Sequence, residues 1–160
     1  MSAIKTGDTL PSMPVKFVEA GEMKDASTDA LFGQGRHVIF ALPGAFTPTC
    51  SAKHLPGYVD KAAALHAKGI DRIACLSVND AFVMKAWAEQ NNAGGILMLA
   101  DGSAHLTKAL GLDMDLGERA MGIRCQRFAM VVRDGQVEQL FVEAPGDYSV
   151  SSAEHVLRSL

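Results

Sequence analysis

The sequence predicts an α/β protein with a mixed central sheet and helices on both faces. Three observations lead there. Continuous apolar, β-branched runs recur at RHVIFAL (36–42), IDRIACLSV (70–78) and ILMLA (96–100), as buried strands require. Segments of helical period lie between and after them. Two further apolar runs joined by Asp134-Gly135 form a hairpin signal ahead of a last helix.

The elements follow in order. The segment through Gly35 is mixed, with VKFVEA a strand and STDALFG a short helical turn. RHVIFAL ends at Pro43, which has no N–H for a sheet ladder. From Pro48 to Lys68 the pattern is helical. Leu55, Tyr58, Ala62 and Leu65 form one stripe, and Gly69 stops it. After IDRIACLSV, Asp80 caps the helix AFVMKAWAEQ, whose buried face is expected to hold Val83, Ala86 and Trp87. NNAGG is a loop, ILMLA a strand and SAHLTKALG a short helix. QRFAMVVRDGQVEQLFVE (126–143) is the hairpin. In SSAEHVLRSL, Ser151 and Glu154 have the spacing of a capping box. Met84, Met98 and Met130 sit in apolar runs and read as core.

With 160 residues, of which 48% are hydrophobic, the chain is expected to be one domain, 1–160, with a core of its own. Fifteen basic against 18 acidic residues, net charge -3, with no basic stripe, argue against nucleic acid and anionic membrane as partners. MSAIKTGDTLPSMPV lacks the apolar core of a signal peptide, and HVIFALPGAF is too short to span a bilayer. Three cysteines, Cys50, Cys75 and Cys125, are an odd number at wide spacing. They form no disulfide framework, and a reducing, cytoplasmic location is expected.

Chemistry concentrates in ALPGAFTPTCSAKHLPGYVD (41–60). With Thr47 as N-cap and Pro48 at the first helical position, Cys50 falls in the first turn. There the macrodipole and free backbone N–H groups favour the thiolate, the nucleophilic form of the side chain. Gly44 lets the backbone pass close to a ligand, Pro43 ends the strand, and Pro56 is expected to kink the helix one turn on. The competing reading of Cys50 is a small buried hydrophobe. Ionisation alone is a small lever. A free thiol of pKa ~8.5 is a few per cent thiolate at neutral pH, so full ionisation gains at most ~30-fold. Fast thiol chemistry needs, in addition, donors aimed at the charge that develops on the leaving atom. Candidates are the Thr47 hydroxyl, the first-turn N–H groups and an arginine from another strand. RCQRFAMVV offers Arg124 and Arg127, which on a regular strand would face opposite sides. Arg127, directly before the apolar run, is the one expected to be half-buried, with a thiolate able to serve as its anion; the competing readings are an ordinary carboxylate pair and a solvated strand end.

PGAFTPTCSAKHLPGY resembles the peroxiredoxin motif Pro-x-x-x-Thr-x-x-Cys, here Pro43, Thr47 and Cys50. With SVNDAFVMKAW and RFAMVV downstream, the likeness is to the type II, peroxiredoxin 5-like subgroup and runs over nearly the whole chain. It implies a thioredoxin-like fold and reduction of hydrogen peroxide and alkyl hydroperoxides through a sulfenic acid on Cys50. It further implies that Pro43 shields the site, that Thr47 bonds the peroxide and that Arg127 serves the thiolate. Gly44, Thr47, Cys50 and Arg127 would then contact the substrate. Glutathione, glutaredoxin or thioredoxin would be the reductant of a homodimer that needs no metal or organic cofactor.

Cys75 lies mid-strand and reads as a core thiol. Plant-type members have a second cysteine at this place, so a resolving role stays open, although a central strand would have to unravel to deliver it. The C-terminal resolving cysteine of animal-type members has no counterpart, since that region reads YSVSSAEHVL. Cys125 reads as structural. His54, four after Cys50 on one helix face, reads as packing, as polar support or as a proton carrier, and lacks the companions of a metal site. Cys50 is followed by Ser-Ala-Lys, so no Cys-x-x-Cys redox motif is present. A Cys-His hydrolase would need a base and an orienter fixed in space. The non-enzymatic alternative is a redox sensor or holdase using the same thiol without turnover.

Overall fold

The computed structural model describes residues 3–160. Its strands are β1 (Pro14–Glu19), β2 (Glu22–Ser27), β3 (Arg36–Ala41), β4 (Arg72–Ser77), β5 (Leu97–Ala100), β6 (Asp113–Leu116), β7 (Gly122–Cys125), β8 (Phe128–Arg133) and β9 (Gln136–Val142). Its α-helices are α1 (Thr28–Phe32), α2 (Leu55–Ala67), α3 (Ala81–Gln90), α4 (His105–Ala109) and α5 (Ala153–Ser159). A five-residue π turn, Cys50–His54, leads into α2. Among the described residues, seven strands form one sheet in the order β2-β1-β5-β4-β3-β8-β9, and β6 pairs with β7 apart from it.

The centre of the sheet is parallel (β3, β4, β5), and antiparallel pairs flank it: β1 on β5 and β8 on β3. The continuous apolar runs occupy the centre because both faces are covered. Alternation along β3 divides the core: Val38 and Phe40 pack under α2, α3 and α5, while Ile39 and Ala41 meet the α1 and α4 side. Tyr58, Leu65, Met84, Trp87 and Val156 fill the first layer, and Phe32, Leu106, Leu110 and Phe128 the second.

The predicted mixed sheet with helices on both faces is the observed fold. Asp134 and Gly135 both take positive φ, 49° and 81°, as a two-residue hairpin requires. Three local expectations change, and β2 is a strand that no sequence signal marks: EMKDAS is polar and mostly exposed. The buried face of α3 is Ala81, Met84, Trp87 and Ala88, while Ala86 is exposed. Ser152 caps α5 by accepting from the His155 N–H at 3.1 Å, and Ser151 is spent elsewhere. The chain breaks between β7 and β8, so Arg124 and Arg127 do not share a strand.

Candidate active site

The end of β3 and the start of the helix are held by their neighbours. The Leu42 N–H donates to the Leu76 carbonyl at 3.2 Å, and the Ala45 N–H donates to Asn79 Oδ1 at 3.0 Å. Phe46 takes φ 65°, a left-handed conformation costly for an aromatic residue, and leaves its ring half exposed. Helical backbone begins at residue 48, and its ladder opens with the Ser51 N–H donating to the Thr47 carbonyl at 2.9 Å. The Thr49 and Cys50 N–H groups thus have no carbonyl one turn back. Thr47 flanks the helix as expected, but its side chain does not cap it: the hydroxyl donates to the Gly44 carbonyl at 2.7 Å. Its one proton is used there, which leaves its oxygen as an acceptor for a ligand.

Pro56 has its effect in the turn before it. Proline at this position has no N–H for the Ala52 carbonyl, and its ring would press on that carbonyl. The expected kink takes the form of the wide turn Cys50–His54, closed by the Leu55 N–H donating to the Cys50 carbonyl. Trp87 on α3 braces this turn, its Nε1–H donating to Ser51 Oγ at 3.0 Å.

Cys50 and His54 are both fully buried. Arg127 is half-buried and reaches both: Nη2–H donates to Cys50 Sγ at 3.2 Å, and Nη1–H donates to His54 Nδ1 at 2.8 Å. Among the described residues no carboxylate pairs with Arg127, so the ordinary ion pair left open by the sequence is absent. The Tyr148 ring covers the guanidinium at 6.0 Å, and the Tyr148 hydroxyl donates to the Lys53 carbonyl at 3.3 Å. Arg124 reaches the site from β7. Its Nε–H donates to the Met121 carbonyl at 2.8 Å and its Nη1–H to the Pro43 carbonyl at 3.2 Å. Gly44 is needed beneath it: a Cβ there would stand 2.7 Å from Arg124 Nη1 and 3.3 Å from Thr47 Cγ2.

His54 is itself held by groups from the C-terminal part of the chain. Its Nε2 faces the Ser151 carbonyl at 3.1 Å, which also accepts from the Tyr58 hydroxyl at 2.8 Å. Glu143 accepts from the Ser151 N–H at 2.8 Å, the Ser151 hydroxyl at 2.6 Å and the Ser149 N–H at 2.7 Å. Burial alone would raise the Glu143 carboxyl, but these bonds from Ser151 and Ser149 hold it below its ordinary range. His54 is lowered to about 3, first by burial and then by the Arg127 charge, so it is neutral. Tyr58 is pushed up, chiefly by burial.

Cys75 is fully buried at the centre of β4, between Phe40 and Met98 in the ladder, and its thiol is raised by burial and then by nearby Cys50. Cys125 is buried beside Thr107, away from this cluster, and is likewise raised by burial. The structure thus gathers Pro43, Gly44, Thr47, Cys50 and Arg127 at one place. It adds Arg124, His54, Tyr148, Ser151 and Glu143. No sequence pattern marks the last three, because they arrive from a loop about a hundred residues downstream of Cys50.

The family model described as Redoxin matches residues 5–157. Peroxiredoxin-2E-2, chloroplastic, from Oryza sativa subsp. japonica is 47% identical, over 100% of this chain and 74% of its own length. Peroxiredoxin-2B from Arabidopsis thaliana is 42% identical over the full length of both. Reduced Prx3 from Vibrio vulnificus, solved in complex with hydrogen peroxide, is 51% identical with a TM-score of 0.93, covering 98% of each chain.

Proposed function

Because the chain belongs to the redoxin family, among the type II peroxiredoxins, and is a thiol-dependent peroxidase, we propose that Cys50 is its peroxidatic nucleophile and Arg127 the principal donor to it. The observation that carries this is the Arg127 Nη2 at 3.2 Å from Cys50 Sγ, with no carboxylate among the described residues to compete for that cation.

The Cys50 thiolate attacks one oxygen of the peroxide. An S–O bond forms as the O–O bond breaks, and sulfur is oxidised to the sulfenic acid. The departing oxygen takes the negative charge and a proton, and leaves as water or an alcohol. Arg127 and the first-turn N–H groups face this developing charge and stabilise it. Thr47, with its proton committed to Gly44, accepts a hydrogen bond from the peroxide O–H and so orients it. Pro43, pinned by Arg124, walls the entrance.

An external thiol attacks the sulfenic sulfur and releases water, and a second thiol frees Cys50 from the mixed disulfide. Glutathione or glutaredoxin fills this role best, with thioredoxin as the alternative. The chain acts in the cytoplasm as a homodimer, for which exposed Phe46 and Phe82 offer apolar surface. The test is peroxide consumption run in parallel with glutathione, glutaredoxin and thioredoxin, on the wild type and on Cys50→Ser. Turnover with at least one thiol, lost in Cys50→Ser, is expected. Turnover that survives in Cys50→Ser would remove Cys50 from the mechanism.

A further inference from the structure

We propose that His54 is the positioning residue of Arg127: in its neutral Nε2–H form it anchors Nη1 of the guanidinium so that Nη2 stays aimed at Cys50. The proposal rests on the reading of Cys50 and Arg127 given above and adds a residue to it.

Hydrogen-bond chemistry allows one arrangement. A neutral imidazole has one donor and one acceptor, while an arginine has donors only and a backbone carbonyl only accepts. Nδ1, 2.8 Å from Arg127 Nη1, must therefore be the bare nitrogen, and Nε2, 3.1 Å from the Ser151 carbonyl, must carry the proton. Swapping the tautomer breaks both bonds, and protonating the ring would set a second cation against Arg127. The charged and titratable groups facing the ring are Arg127, Glu143, Tyr58 and Tyr148, and burial with the Arg127 charge keeps the ring neutral.

The ring has no freedom to turn. It lies among three aromatic rings, with centroids 5.0 Å from Phe40, 5.7 Å from Tyr58 and 5.3 Å from Tyr148. Its carbonyl partner is fixed in turn, since Glu143 takes both the N–H and the hydroxyl of Ser151, and Tyr58 takes the second lone pair of the Ser151 carbonyl. A line of positional constraint therefore runs from Glu143 through Ser151 and His54 to Arg127, and ends at the sulfur. Without it, a half-buried guanidinium with no carboxylate partner among the described residues would keep the Tyr148 ring and the sulfur to hold it.

Three variants separate anchoring from packing. In His54→Asn the amide oxygen falls near the place of Nδ1 and can still accept from Arg127. In His54→Gln the amide reaches the place of Nε2 and keeps only the Ser151 contact. His54→Leu keeps neither. The readouts are kcat/KM for hydrogen peroxide at saturating reductant and the rate of Cys50 alkylation by iodoacetamide at neutral pH. His54→Asn is expected to stay within about threefold of wild type, and His54→Gln and His54→Leu to fall by at least about tenfold in both. If Asn is no better than Gln, or if Leu is unimpaired, the proposal is overturned. The Asn and Gln comparison decides the matter even if His54→Leu fails to fold. Cys50→Ser and Arg127→Ala in the same assays tell the two failures apart: impairment there with an indifferent His54 series removes only His54, whereas indifference to Arg127→Ala removes the reading beneath it.

Discussion

Arg127 donates to Cys50 Sγ with one nitrogen, at 3.2 Å, and to His54 with the other. A planar fork can do this, and a lysine ammonium cannot do it in the same geometry. Arg127→Ala is expected to lower the peroxide rate by about 10²-fold or more, the scale of losing one transition-state donor. Arg127→Lys should recover only part of it. Stopped-flow peroxide kinetics on the two variants would check this, and a fully active Arg127→Lys would show that charge alone suffices.

Arg124 makes a different contribution. It touches the Pro43 carbonyl rather than the sulfur, and it occupies the space that a Cβ on Gly44 would need. Arg124→Ala should therefore cost less than Arg127→Ala. Gly44→Ala should resemble Arg124→Ala, because the added methyl pushes the guanidinium off the loop. The two losses should fall short of adding in the double variant, as for residues acting through one contact. A double-mutant cycle on kcat/KM measures this. Strict additivity would mean that Gly44 acts on Thr47 instead.

The parts that were legible in the sequence are those with a local cause. The strand β3 and the stripe of α2 follow from apolar period, and the hairpin follows from Asp134-Gly135. Cys50 stood out because cap, proline and thiol lie within a few residues of each other. The role of Thr47 was only half legible: its place at the helix start is local, but its hydroxyl turns back to Gly44. The convergence of Arg124 and Arg127 was hidden, because it depends on the break between β7 and β8 and not on any period. The place of Ser151 is not legible for a related reason. Either Ser151 or Ser152 could cap α5, and only the position of Glu143 decides between them.

Acid should weaken the fold through His54. The unfolded chain binds a proton there near the ordinary value of 6.5, whereas the folded chain resists it down to about 3. The folded value is depressed, so this group's contribution is intact above pH ~6.5 and is lost as pH falls from there towards ~3. The full loss is on the order of 5 kcal/mol. Glu143 and Glu138, both held below the ordinary carboxylate range against the opposing effect of burial, add to the loss lower in the same window. Urea unfolding at a series of pH values should show stability falling below pH ~6.5 in the wild type, and a flatter upper part of that fall in His54→Asn. Identical slopes in both would rule His54 out as the source.

The position of Cys75 bears on how a sulfenic acid on Cys50 would be cleared. A disulfide needs the two Cα atoms within ~7 Å of each other and suitably directed. Cys50 lies in the first turn of its helix, ahead of the first ladder bond at Ser51, so opening there costs less than in a core strand. Cys75 lies in β4, laddered to β3 on one side and β5 on the other, at the middle of the sheet. Freeing it means breaking core strands, which costs close to the global stability. Burial also raises its thiol, so it stays protonated and a poor nucleophile. A one-cysteine cycle is therefore predicted, with an external thiol attacking Cys50 at the opened helix start. Cys75→Ala should keep most of its activity with glutathione and glutaredoxin. Mass spectrometry of peroxide-treated wild type without added thiol should find Cys50 as sulfenic or over-oxidised acid. A Cys50–Cys75 disulfide as the main product, together with an inactive Cys75→Ala, would mean that β4 opens far more readily than its two ladders imply.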